Sequence, residues 1–193
     1  MTTDKSDIAR RTVLQTAALA AIGQIIVAPS TATAAAPAQG PIGKPGDFNF
    51  LAGEWRIKHR RLKNESTGEW DVFEGEATCW TVLEGVASIE ELRIPARNFS
   101  GMGIRLCDVE KHVWADFWIN SRSGVLTPPG LMGTFQNGVG TFIADDMDGD
   151  KPIKVRGVWD RIVPGKSHRW HQAVSRDGGK SWAENWSMDW LRA

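Results

Sequence analysis

The chain has 193 residues, 41% of them hydrophobic, enough for one domain with a proper core. Its 23 Lys and Arg balance 23 Asp and Glu, which argues against a nucleic-acid binder and against long-range steering of a charged partner. Charged residues at 24% exclude wholesale disorder, while ten Trp, seven Phe and no Tyr call for a core or pocket built largely from indoles.

Residues 1–36 differ from everything after them. A polar start, Met1 to Ala9, leads into Arg10-Arg11-Thr12-Val13-Leu14-Gln15, then an apolar run from Thr16 to Ala28, then Pro29-Ser30-Thr31-Ala32-Thr33-Ala34-Ala35-Ala36. Charged, apolar and small-residue segments in that order form the layout of an export signal. The apolar run is too short for a span of about 20 residues, so no stable membrane anchor is expected after cleavage. The paired arginines before a hydrophobic position resemble the twin-arginine signal, which implies the twin-arginine export machinery as a partner and a periplasmic or secreted protein. Residues 1–34 hold Lys5, Arg10 and Arg11 against Asp4 and Asp7, so their removal leaves 20 basic and 21 acidic residues, a net of −1. Residues 35–46, rich in Pro, Gly and Ala, predict a flexible lead, and the domain is expected over 47–193.

From Phe48 onward the pattern predicts strands. Runs rich in Val, Ile, Phe, Trp and Thr are separated by turn residues, over 53–63, 69–82, 86–94, 101–107, 112–120, 132–137, 139–145, 152–162, 168–175 and 181–191. Asn137-Gly138, Asp148-Gly149 and Asp177-Gly178 supply the positive φ that tight hairpins need. Ten strands joined by short turns predict an all-β antiparallel meander, closed into an up-and-down barrel that leaves no exposed edge. In the last strand, period two puts Trp182, Glu184, Trp186, Met188 and Trp190 on one face. In 112–120, Val113, Ala115, Phe117 and Ile119 oppose Trp114, Asp116 and Trp118, so both faces carry large apolar groups.

Four resemblances follow. Gly53-Glu54-Trp55 at the start of the first strand resembles the Gly-x-Trp signature of lipocalins and the wider calycin superfamily. That likeness implies that Trp55 closes one end of the barrel and that a basic residue near the last strand, here Arg192, packs on it. Phe48 to Trp55, Asn137 to Phe142, and Ser175 to Trp182 with Asn185-Trp186 are similar to an uncharacterised bacterial family with calycin-like barrels. It implies the fold and no reaction. Haem-binding nitrobindins share the Phe-Leu-x-Gly-x-Trp opening, but they use an axial His, and no motif here fixes one. Ser175-x-Asp177-x-Gly179-x-x-Trp182 also resembles the Asp-box of sialidase propellers and is expected to be a stabilised hairpin.

The candidates for chemistry are few. Glu184, between Trp182 and Trp186 on one predicted face, is a candidate general acid or base, because indoles would desolvate its carboxyl. His59, which shares a face with Trp55 and Ile57, is the other catalytic candidate. Arg156, Trp159, Trp170, Gln172 and Trp186 are the predicted ligand-binding set, with Arg105 and Asp116 as further polar groups. His168-x-x-His171 puts its two rings on opposite strand faces, and no metal motif occurs among the four His, so no metal is expected. Cys79 and Cys107 fall on non-adjacent strands and are expected to be buried thiols. No nucleophile elbow or nucleotide-binding loop is present. The first functional expectation is therefore an exported barrel that binds a small hydrophobic or aromatic molecule without a cofactor. The alternative is a cofactor-independent isomerase, hydratase or lyase on the same barrel, and the third is a nitrobindin-like haem binder.

Overall fold

A computed structural model describes residues 42–193, so the expected signal and most of the lead lie outside the described residues. The strands are β1 (Gly53–Asn64), β2 (Glu69–Val82), β3 (Ala87–Ile94), β4 (Phe99–Asp108), β5 (Val113–Asn120), β6 (Leu131–Gln136), β7 (Val139–Asp148), β8 (Lys151–Val163), β9 (Ser167–Ser175) and β10 (Ala183–Arg192). Each pairs antiparallel with its neighbours in sequence, and β1 pairs with β10, so the ten strands form one closed barrel. The predicted all-β meander is therefore the fold, with strand ends differing by a few residues.

The turns follow the local chemistry. Asn137 and Gly138 both take positive φ, 52° and 77°, the twist that a two-residue hairpin requires. The β9–β10 connection is a hydrogen-bonded knot around Asp177. Its carboxylate accepts from the Lys180 and Ser181 N–H groups and from the Ser181 hydroxyl, and the Ser175 Oγ accepts from the Gly179 N–H. These bonds hold the Asp177 carboxyl well below the usual range. Ser181 and Trp182 belong to this turn, which is why β10 begins two residues later than the alternation predicts.

Alternation then sets two faces. Trp55, Ile57 and His59 on β1 point inward, as do Ser88, Glu90 and Leu92 on β3, and all six are buried. One end is closed by the 3-10 turn Asn49–Leu51. Phe48 meets Trp114 and Phe135 edge-on at 4.9 and 5.0 Å, and the Trp55 indole N–H donates to Leu51 O at 2.6 Å. Residues 42–46, expected as part of a flexible lead, are tied to this end. The Gly43 N–H donates to His112 O at 2.6 Å and the Gly46 N–H to Gly85 O at 2.9 Å. The start of the domain is thus corrected toward the N-terminus, because backbone bonds, not composition, decide where the chain is held.

The Gly-x-Trp element is a steric device at the same end. Gly53 has φ 124°, and a Cβ there would overlap the Arg192 guanidinium. The guanidinium lies 5.2 Å from the Trp55 ring centre and donates to Ala52 O at 2.8 Å. Only a residue without a side chain lets the strand pass under that cation.

Candidate functional site

The interior is lined unevenly. The inward positions of β8, β9 and β10 carry Trp159, Trp170, Trp186 and Trp190. Opposite them, β3, β4 and β5 turn Glu90, Arg105 and Asp116 inward as register neighbours of Gly103 or of each other. Arg105 Nη2 donates to Glu90 Oε2 at 2.6 Å, and Arg105 Nε stands 3.3 Å from Asp116 Oδ1. The three side chains are 3%, 4% and 15% exposed for Glu90, Arg105 and Asp116, so this is a buried ion triad. It holds two carboxylates and one guanidinium in a low-dielectric setting.

Between the two walls lies a cavity of about 150 Å³, reached by Trp118, Trp159, Trp170, Trp186 and Trp190, with Gln172 and the triad as its polar groups. Burial pushes the Asp116 carboxyl up to about 6; Arg105 pulls it back and the Glu90 carboxylate pushes it further up. The Trp159 N–H faces that carboxyl without completing a hydrogen bond. A larger, shallow concavity of about 1130 Å³ surrounds the closing turn at the other end. None of its lining residues carries a buried unpartnered polar atom, so the interior cavity is the candidate site.

The structure separates the residues singled out from the sequence. Trp159, Trp170, Gln172 and Trp186 line the cavity. Arg156 is corrected to the outer face: it alternates with the inward Val155 and Gly157, and its guanidinium sits 4.3 Å over the Trp182 ring. Glu184 is corrected to the outer face too. A β-bulge between Glu184 and Trp186 breaks the period-two count, so Glu184 pairs with Ala173 while Trp186 faces in. There its carboxylate lies 3.3 Å from His171 Nδ1 and 3.8 Å from Arg169 Nη1.

His59 is inside but walled off from the cavity. Its ring stacks on Phe73 at 4.6 Å, and its Nδ1 accepts from the Trp186 indole N–H at 3.3 Å. Its Nε2 fills the space that Gly75 leaves, since a Cβ there would come within 2.6 Å. Burial, with the Arg97 charge next, lowers its pKa to about 4. His168 stacks on Trp190 at 4.9 Å, and burial lowers its pKa to about 3. Both rings are neutral at ordinary pH.

The residues present do not fit a haem. A cavity of about 150 Å³ takes a single benzene-sized ring, and both interior imidazoles are enclosed by aromatic side chains. Among the described residues no group of three or more His, Cys, Asp or Glu is arranged to hold a metal. Cys79 and Cys107 are free and buried, and burial pushes both thiols up.

Glu90 is the interior residue that the pattern does not reveal. In Ala87–Ile94 each face holds one acid, Glu90 with Ser88, Leu92 and Ile94 on one side and Glu91 with Ala87, Ile89 and Arg93 on the other, so alternation does not single out Glu90 as an interior group. No family model matches the chain, and no curated protein matches it.

Proposed function

We propose that this protein is an exported, calycin-like barrel that binds a compact aromatic or apolar molecule in its interior cavity. The observation that carries this reading is the cavity itself: indole walls on β8–β10 face a buried Glu90–Arg105–Asp116 triad. Large rings supply apolar area, and a few convergent polar groups fix orientation. The calycin-like part is supported by the Gly53, Trp55 and Arg192 arrangement at the closed end. Export is supported by the layout of residues 1–36 alone. Native mass spectrometry of the protein as purified, followed by titration with benzene-sized ligands monitored through Trp fluorescence, tests the binding reading. A saturable response is expected, and none with any such ligand overturns it. Changing Arg10 and Arg11 to Lys is expected to abolish export. Continued export would reject the twin-arginine route.

Asp116 favours a second reading, cofactor-independent acid–base catalysis of the isomerase, hydratase or lyase type. It is a cavity-facing carboxyl whose pKa is raised to about 6, close to a working pH. Glu184 faces outward and His59 is enclosed, so neither reaches a molecule in the cavity. Turnover that survives Asp116→Asn unchanged would reject this reading.

A further inference from the structure

The hydrogen-bonding groups left over in the cavity wall define what a ligand must bring. Arg105 Nη1, Trp159 Nε1 and Trp190 Nε1 are buried donors with no hydrogen-bond partner among the described residues, and all three side chains line the cavity. The Arg105 side chain is 4% exposed, and Trp159 and Trp190 are 2% and 1% exposed. Buried donors without acceptors are unfavourable, so the wall calls for an oxygen that accepts. The same wall holds an acceptor. The Asp116 carboxylate lines the cavity with Arg105 Nε 3.3 Å away and the Trp159 N–H facing it.

Four kinds of single-ring ligand can be compared. A plain hydrocarbon leaves the donors unpaired. An aromatic carboxylate brings a third anion beside Glu90 and Asp116, with one guanidinium to neutralise all three. An aromatic amine adds donors where donors are already in excess. A phenolic hydroxyl accepts and donates at one atom and carries no charge. The cavity volume of about 150 Å³ suits one ring.

Resting on the binding reading above, we propose that the cavity is a phenol site. The ligand is a single hydroxylated aromatic ring packed among Trp159, Trp170, Trp186 and Trp190. Its oxygen accepts from the Arg105 guanidinium, and its O–H donates to the Asp116 carboxylate. Groups built to hydrogen-bond a hydroxyl reject the analogue lacking it, because the polar wall is then left unpaired.

Calorimetric titration of the purified full chain with phenol, benzoate and benzene tests this, together with indole N–H shifts in proton–nitrogen NMR spectra. Phenol is expected to bind at least tenfold more tightly than benzene or benzoate and to shift the Trp159 indole signal. Asp116→Leu is expected to bring phenol down to the affinity of benzene while benzene stays within about twofold. Asp116→Asn, which keeps an acceptor oxygen, is expected to fall between and covers the case in which the leucine variant does not fold. Benzene binding as tightly as phenol overturns the phenol site and leaves the binding reading standing. Tighter benzoate overturns it in favour of an anion site. No binding of any of the three overturns both.

Discussion

The β3–β5 wall and the β8–β10 wall are built with opposite polarity. On β8–β10 the indoles face in, and ionic side chains cover the outside. There Arg169 holds Asp160 through two hydrogen bonds of 3.0 and 2.9 Å, with His171 and Glu184 beside them. On β3–β5 the Glu90–Arg105–Asp116 triad faces in, while Ile89, Met102, Ile104, Leu106, Ala115 and Phe117 form much of the outer face, with the Glu91–Arg93 pair beside them on β3. Met102 and Leu106 are 36% and 43% exposed. Volume accounts for the inversion. Trp159, Trp170, Trp186 and Trp190 enter the lumen from one wall and Trp114 and Trp118 from β5, while Gly101 and Gly103 leave the space that the Trp118 ring and the Arg105 guanidinium occupy, so the facing wall has room for the buried ion triad. A barrel interior is thus shared between walls and is not balanced strand by strand.

Unequal charge networks make the largest expected difference between the walls. Arg105→Met leaves two carboxylates buried without a cation and is expected to cost about 3–5 kcal/mol, measured by urea unfolding. Arg169→Met, on the outer face of the other wall, is expected to cost at most about 1 kcal/mol. Equal losses would erase the distinction. Replacing the whole triad with apolar residues is expected to recover most of the Arg105→Met loss. That result would identify the triad as a feature kept for the cavity rather than for stability.

Acidification separates the walls next. His59 and His168 have pKa values lowered to about 4 and about 3, so the folded state binds fewer protons than the unfolded chain below the ordinary value of 6.5. Stability from these rings is present above pH 6.5 and is lost as pH falls toward 4. The loss is about 3 kcal/mol for His59. His168→Gln is expected to flatten that pH dependence in thermal unfolding, and an unchanged slope would reject the buried neutral ring as its cause.

Asp116 has the opposite sign. Its carboxyl is raised from 3.8 to about 6, so its contribution is full below pH 3.8 and is lost as pH rises through about 6. It faces the Arg105 guanidinium, which keeps its charge across this window, and the Glu90 carboxyl. Asp116→Asn is therefore expected to stabilise the protein by about 2 kcal/mol at pH 7, with little effect at pH 4. No gain at pH 7 would mean that Arg105 fully compensates the ionised carboxylate.

The smallest expected effect is on the inverted outer face. Met102→Ser is expected to change stability by no more than about 0.5 kcal/mol, because the side chain is exposed at a surface position. A larger loss in calorimetric unfolding would show that this face is buried by something in solution.

The run of ten strands, the hairpin at Asn137-Gly138 and the Asp177 turn were legible in the sequence because each rests on interactions within about ten residues: alternation, positive φ and side-chain bonds to nearby backbone; closure through β1 and β10 was expected because it leaves no exposed edge. The pairing of Arg192 with Trp55 was accessible through a resemblance, and the geometry gives its reason in Gly53. The inward side of β3 and β4 was not legible. Alternation divides residues into two faces but does not name the inner one, and on β4 the more apolar set, Met102, Ile104 and Leu106, faces out. The bulge at Glu184–Trp186 likewise moved one candidate from the aromatic face to the surface.

The sequence by itself therefore determined the barrel, its turns and its wealth of indoles. The tertiary structure decided which carboxylates those indoles face. Glu90 and Asp116 are neighbours of Arg105 only through pairing across β3, β4 and β5, and they meet Trp159 and Trp190 only across the lumen. Contacts across a lumen depend on closure and shared volume, which no period along one strand records.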